Sequence, residues 1–323
     1  MNERLLQLFR ENPDRYLSGE LISRKLGVSR TAIWKHIQEL KQAGFEFEAV
    51  PRLGYRLLHS SPLLVAENIQ ARLTTRQFGR RLHLLGETDS TQRLALELAR
   101  NGAEEGTLVI AERQTAGRGR MGRSWHSPAG KGIYMSLILK PDLPLHQAPQ
   151  LTLLTAVAVA RAIRILVPEV DVQIKWPNDL LARGRKLCGI LLESSAENER
   201  LQYVVAGIGI SANLSEEDYP EELRPIATSL RMESGKPVNR AELIAHCMAQ
   251  LEQRYDLYLQ QGFQPIRTLW EAYAETIGRK VSVRTCGRTV TGLAVGLDDY
   301  GGLIVDTGEG GKQTIYTWDN DSG

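Results

Sequence analysis

Fourteen residues from Gly117 to Gly130, GRGRMGRSWHSPAG, hold four glycines and three arginines and no acidic side chain. Glycine resists ordering and neighbouring guanidinium charges repel, so the stretch reads as a loop rather than a helix or an ordinary strand. Its chemistry is that of a flap closing over an anion, backbone amides and arginines together neutralising phosphate or carboxylate. Gly117, Gly119 and Gly122 satisfy G-x-G-x-x-G by spacing, but a dinucleotide fingerprint needs a helix opening directly behind the glycines. Arg123 to Gly130 starts no such helix, and no G-K-[ST] marks a P-loop.

Lys175-Trp176-Pro177-Asn178-Asp179, followed by Lys186-Leu187-Cys188-Gly189, is a second cationic feature. Lys175 ends an expected strand and Pro177 turns the chain, which sends Asn178 and Asp179 out at a strand end. Singly, K-W-P-N-D reads equally well as an ordinary turn with a satisfied aspartate. Joined to the glycine-arginine flap, it suits phosphoryl or nucleotidyl chemistry, with Asp179 a candidate magnesium ligand. No Ser or Cys occupies a G-x-S-x-G elbow, the six histidines show no metal-ligand spacing, and Cys188 reads as a small buried residue. The reacting nucleophile is therefore expected from a substrate.

These residues need elements to hold them, and 323 residues exceed what one core usually organises. The pattern divides into three pieces, 1–62, 63–272 and 273–323. In the first, Leu5, Leu6, Leu8 and Phe9 share a helix face, and Leu21, Ile22 and Leu26 suggest a second helix ending at Gly27. Ser29 caps a third helix carrying Ile33, Ile37 and Leu40 up to Gly44. Phe45 and Phe47, the turn Pro51-Arg52-Leu53-Gly54, and Tyr55 and Leu57 then form a hairpin, completing a winged helix-turn-helix. The middle piece, behind a boundary at Ser60-Ser61-Pro62, is a mixed α/β layer. A helix is expected from Pro62 to Leu73 and another behind Asp89-Ser90-Thr91. Strands are expected at 107–112, 133–140, 172–176, 186–193 and 203–211, and long helices at 148–167 and 240–260. The last piece has four short β segments, at 281–284, 290–295, 303–306 and 314–316, as in a small barrel or sandwich.

A net charge of +2 is too near neutral for the whole molecule to be a nucleic-acid binder, so such a role must be local. Arg24, Lys25, Arg30, Lys35 and Lys41 crowd one segment against only Glu39. Arg30, Thr31, Lys35 and Gln38 lie away from the apolar face of the third helix, where they present hydrogen-bonding groups to base edges, with Ser29 at its start. Arg52 at the wing tip would reach a phosphate or the minor groove. The plainer reading is a solvated helix face; turn chemistry, position and the following hairpin favour DNA. Trp34 is expected as a partly buried core residue. One such module buries little surface, which implies a dimer on a two-fold operator. Three distant cysteines argue for a reducing compartment. The N-terminus carries acidic residues and no long apolar run, and the most apolar stretch, Leu151–Val167, is too short to cross a bilayer, so a cytoplasmic protein without a membrane partner is expected.

Taken in order, Asp89-Ser90-Thr91, the run Gln114 to Arg123, Lys175 to Asp179, Lys186 to Leu191 and Gly207-Ile208-Gly209-Ile210 closely resemble the biotin–protein ligases, in the bifunctional class with an N-terminal winged helix. The resemblance spans the full length. It implies an α+β multidomain fold ending in an SH3-like β-barrel, with biotin and ATP as substrates and Mg2+ as companion. Biotin's carboxylate would attack the α-phosphate of ATP, and a lysine of the biotin carboxyl carrier domain of acetyl-CoA carboxylase would then attack the adenylate. An adenylate-bound homodimer would repress biotin synthesis genes at operator DNA. The resemblance assigns biotin to Ser90, Thr91, Gln92, Gln114, Arg118, Gly119, Arg120 and Lys186. It assigns nucleotide to Arg118, Arg120, Arg123, Trp125, Lys175, Asn178, Lys186 and Asn213, and the catalytic cations are Lys186, Arg118, Arg120 and Lys175. Trp125 is expected beside the acyl chain or adenine, plain loop packing being the alternative. Family members usually carry Asn at the positions of Gln92 and Ser211; Asn213 stands two places after the latter. A ligand-sensing repressor without ligase activity and a lipoate ligase are the rival readings, the first disfavoured by Arg118, Arg120 and Lys186, the second by the winged helix and the flap.

Overall fold

The computed structural model describes residues 2–12, 15–42, 46–51, 53–59, 63–285 and 288–316. They fall into two compact units, 1–64 and 65–323.

In the first unit, α1 (Asn2–Arg10), α2 (Gly19–Leu26) and α3 (Arg30–Gln42) precede a hairpin of β1 (Glu46–Val50) and β2 (Gly54–His59). The backbone of Gly27 turns left-handed at φ 71°, a conformation cheap only for glycine, and so ends α2. Ser29 accepts the Ala32 N–H at 3.2 Å and starts α3 three residues later. Leu5, Phe9, Ile22, Ile33, Ile37 and Phe47 close the core. Trp34 is not in it: the residue is 55% exposed, against the expectation of a core tryptophan. The core side of α3 is already filled by Ile33, Ile37 and Leu40, and position 34 lies about a quarter turn round the helix from it. Arg52, Gly44, Phe45, the boundary at 60–62 and the side chain of Lys41 lie outside the described residues.

The second unit begins with α4 (Ala66–Gln70), shorter than the helix expected to reach Leu73, since the chain turns at 71–72. Then come β3 (Leu82–Thr88), α5 (Thr91–Arg100), β4 (Leu108–Gln114), β5 (Ile133–Leu139), α6 (Ala148–Leu166), β6 (Val172–Lys175), β7 (Asp179–Ala182), β8 (Arg185–Glu197) and β9 (Arg200–Ile210). Helices α7 (Leu230–Ser234), α8 (Arg240–Gln261) and α9 (Gln264–Tyr273) follow. The seven strands form one sheet in the order β3-β4-β5-β9-β8-β7-β6. Only β3 and β4 run parallel, joined by α5 as the crossover. All seven residues of β5 are buried, so both faces of the sheet are covered at its centre.

Helix α6 corrects a second expectation. With its lead-in from Leu145 it is long and apolar enough to cross a membrane by length and composition, yet 67% of its apolar stretch is buried inside the protein. Its apolarity is spent on packing against β6, β8, α8 and α9. The chain closes with β10 (Lys280–Thr285), β11 (Arg288–Leu297), β12 (Leu303–Asp306) and β13 (Lys312–Ile315), an antiparallel meander. The turn expected at 286–287 lies outside the described residues.

Candidate active site

The loop expected to be a flap is a short hairpin of its own. The backbone of Arg118 pairs with that of Ser124, Gly119 N–H donates to Arg123 O at 2.7 Å, and Trp125 N–H donates to Gly117 O at 2.9 Å. Its tip is one 3₁₀ turn, Arg120–Gly122, with Met121 at φ 56°. A Cβ at Gly117 would lie 2.5 Å from Trp125 O, so the two sides approach closely because residue 117 has no side chain.

The far end of the loop is anchored in the core. Gly130 N–H donates to Glu112 at 3.1 Å. Arg240 holds that carboxylate through both terminal nitrogens, at 3.0 and 3.1 Å, and also donates to Gly132 O at 2.8 Å. The side chains of Arg240 and Glu112 are 3% and 7% exposed. Removing either partner from such a buried pair costs about 3–5 kcal/mol. Tyr134 and His126 tie down the same end, donating to Pro128 O at 3.0 Å and contacting Asp218 O at 2.7 Å.

Above the sheet this loop roofs a cavity. Ser90, Thr91 and Gln92 from the start of α5, Gln114 from the end of β4, Arg118 to Arg120, Arg123 and Trp125 from the loop, Lys175 to Asp179, and Lys186 all line it. Gly189, Gly207 and Gly209 form a floor without side chains. The Trp125 indole lies on that floor: a Cβ at Gly209 would meet its ring at 2.5 Å and one at Gly189 at 3.0 Å. Lys186 Nζ sits 5.6 Å from the centroid of the same ring.

The polar end of the cavity is a network built from β4, β5 and α5. Gln114 Oε1 accepts from Thr91 N–H at 2.9 Å and from its hydroxyl at 3.1 Å, while Gln114 Nε2 donates to Ser127 at 3.0 Å. Ser136 Oγ lies 3.0 Å from Thr91 Oγ1 and 3.1 Å from Gln92 Oε1. Gln92 Nε2 donates to Val205 O at 3.1 Å. The longer side chain at position 92 thus fills the space above Gly207, where a Cβ would meet Gln92 Oε1 at 2.4 Å. Ser90 Oγ and Trp125 Nε1 are buried without a hydrogen-bond partner.

At the cationic end, Lys186 Nζ is 2.8 Å from Asp179 Oδ1. Arg120 reaches across the cavity, its Nη1 donating to Asn178 Oδ1 at 3.1 Å. Burial lowers the Arg120 pKa from its ordinary value, with the Asp179 charge acting the other way. Arg118 is half exposed and pairs with Glu193 at 3.4 Å. The K-W-P-N-D segment is the turn of a hairpin in which Lys175 pairs with Asp179. Trp176 N–H donates to Thr276 Oγ1 at 2.9 Å and its indole N–H to Gly301 O at 3.1 Å, so residues near the C-terminal meander hold this turn.

Two expectations fare differently. Asn213 does not line the cavity; its side-chain amide donates to Val238 O at 2.8 Å and accepts from Val238 N–H at 2.7 Å. No cluster of three His, Cys, Asp or Glu residues suited to a metal occurs among the described residues, and Asp179 is engaged by Lys186. Cys188 is buried, and burial pushes its thiol well up, which suits packing and not nucleophilic attack. Ser127, Ser136 and Tyr134 escaped the sequence reading, although Ser136, the one small polar residue in the apolar run Ile133–Leu139, was a visible signal. In the first unit Arg30, Thr31 and Lys35 are exposed on α3 and Gln38 is half-buried beside them.

The chain matches the biotin/lipoate A/B protein ligase family over residues 85–211, a helix-turn-helix domain over 2–56 and the biotin protein ligase C-terminal domain over 276–317. It is 48% identical to the bifunctional ligase/repressor BirA of Bacillus subtilis, covering 99% of this chain and 98% of that protein. It is 33% identical to the protein of the same name from Escherichia coli, over 90% and 88% of the two chains. Among solved structures it is similar to the biotin protein ligase from Aquifex aeolicus in complex with biotin and ATP, at 30% identity and a TM-score of 0.64, over 74% of this chain and 97% of that one.

Proposed function

The chain belongs to the biotin–protein ligases of the bifunctional ligase/repressor type, and on that premise we propose that its cavity joins biotin to ATP and passes the biotinyl group to a carrier lysine. Biotin's carboxylate attacks the α-phosphate, releasing pyrophosphate and leaving biotinyl-5′-adenylate. The lysine amine of a biotin carboxyl carrier domain then attacks the mixed anhydride and expels AMP.

The observation that carries this reading is the shape and polarity of one cavity. A hydrogen-bonding end at Ser90, Thr91 and Gln114, a flat glycine floor, and a cationic end at Arg120, Lys175 and Lys186 lie under a single loop. A heterocycle with a ring urea fits the first, an acyl chain the second, and carboxylate with phosphate the third. Ser90 and Trp125 line this space, and the Ser90 hydroxyl and the Trp125 indole N–H are buried without a hydrogen-bond partner, which suits a site completed by a bound molecule.

Two anions must meet against their mutual repulsion. Lys186, Lys175 and Arg120 offset that repulsion, and the loop keeps the anhydride from water. Magnesium enters as the companion of the nucleotide's phosphates. Residues 1–62 bind operator DNA when the adenylate-loaded chain dimerises, residues 63–272 perform ligation, and residues 273–323 form the small SH3-like β domain. The whole acts in the cytoplasm.

The test is incubation with ATP, magnesium, labelled biotin and a carrier domain. Label on one carrier lysine is expected. Adenylate formed without transfer would favour a sensor that has lost ligase activity.

A further inference from the structure

Trp34 is the largest apolar side chain on α3, and 55% of it is exposed. Residues four apart on a helix are neighbours, so Trp34 lies one turn after Arg30 and one turn before Gln38, with Lys35 beside it. It occupies the middle of the exposed stripe formed with Arg30, Thr31, Lys35 and Gln38, about a quarter turn round the helix from the buried Ile33, Ile37 and Leu40. Among the described residues it makes no hydrogen bond, ring stacking or cation–π contact. Glu20 and Glu39, the acids nearest the stripe, are engaged by Arg30 at 3.4 Å and by His36 at 3.1 Å.

An indole has a large apolar face, no charge and a single donor, so it is a poor phosphate ligand among flanking cations that serve better. In the major groove the base edges are polar except for the thymine 5-methyl. We propose that Trp34 is a specificity-determining residue that covers a thymine methyl in each half-site, while Arg30 and Lys35 provide polar and phosphate contacts around it. The inference rests on the DNA-binding reading above.

The full chain, loaded with biotin and magnesium-ATP, is used to select duplexes from a randomised pool, alongside Trp34→Ala and Trp34→Phe. The selected thymine is then replaced by deoxyuridine, which removes only the methyl. The original chain is expected to lose about fourfold in affinity per half-site, the value of one buried methyl. Trp34→Ala is expected to bind more weakly and to ignore the replacement; Trp34→Phe retains part of the discrimination. Equal sensitivity of Trp34→Ala and the original chain to deoxyuridine overturns the proposal, as does a pool with no thymine preference. Unchanged thermal stability of Trp34→Ala separates lost contact from lost fold. Failure of the loaded original chain to enrich any duplex overturns the DNA-binding reading itself, and the proposal with it.

Discussion

Lys186 Nζ lies 2.8 Å from Asp179 Oδ1 because the ladder between β7 and β8 is irregular. Leu180 pairs with Cys188 but Leu181 pairs with Lys186, leaving Leu187 as an extra residue. In an unbroken strand Lys186 would share the face of Cys188 and Ile190, opposite Gly189. The bulge reverses that alternation and brings the ammonium to the cavity side, over Trp125.

Lys186→Ala is expected to slow adenylate formation by roughly 10²–10³, the range for losing one preorganised charge-stabilising donor. Asp179→Asn leaves the lysine in place but unrestrained, and about a tenfold loss is expected. Biotin-dependent exchange of pyrophosphate into ATP measures both, and equal losses in the two variants would argue that Asp179 has a direct role.

The Arg120–Asn178 bond is what ties the loop tip across the cavity. Arg120→Gly removes that tie and the cation that the proposed function turns toward the phosphate. Activated biotin is then expected to escape and label bystander lysines, which a blot of added serum albumin would show. Background labelling equal to that of the original chain would contradict the role given to the loop.

Gly209 is a space requirement and not a turn residue. Its Cβ would stand 2.5 Å from the Trp125 ring, so Gly209→Ala has to lift the indole off the floor. A fall of about tenfold or more in kcat/KM for biotin is expected, since a 1 Å misplacement alone can cost 10²-fold. Double substitution with Trp125→Ala tests the contact: the two losses should combine less than additively.

Glu252 on α8 takes the N–H groups of Arg76, Gln77 and Phe78 at 2.8, 2.8 and 3.0 Å. Burial pushes its pKa up, but those bonds and the Arg76 charge outweigh it, leaving the value below the ordinary 4.5. The folded value is depressed, so the stabilisation is fully present above the unfolded carboxylate value and fades as pH falls through the folded one. Glu252→Gln should cost roughly 1–3 kcal/mol at neutral pH. In urea titrations the gap between variant and original is expected to close below about pH 4.3.

Much of this chain could be read from its residues. The winged helix was legible because Gly27, Ser29 and the apolar positions on α2 and α3 specify turn, cap and period within a few residues. The loop at 117–130 was legible because glycine and arginine at that density exclude other structures. Strands β3 and β7 were not, since no residue of β3 is buried and β7 opens on Asp179, which the sequence shows as the end of the K-W-P-N-D turn.

Local composition thus pointed to the chemistry the protein carries: cations on a glycine-rich loop and a basic helix face. Tertiary structure alone decided which of those groups meet. A one-residue bulge aims Lys186, missing side chains at Gly189 and Gly209 seat Trp125, and a buried Arg240–Glu112 pair fixes one end of the loop. Asn213 looked like a ligand residue and is spent on Val238; Trp34 looked like core and stands exposed. Register, close approach and burial depend on partners distant in sequence, and periodicity along one chain holds no information about them.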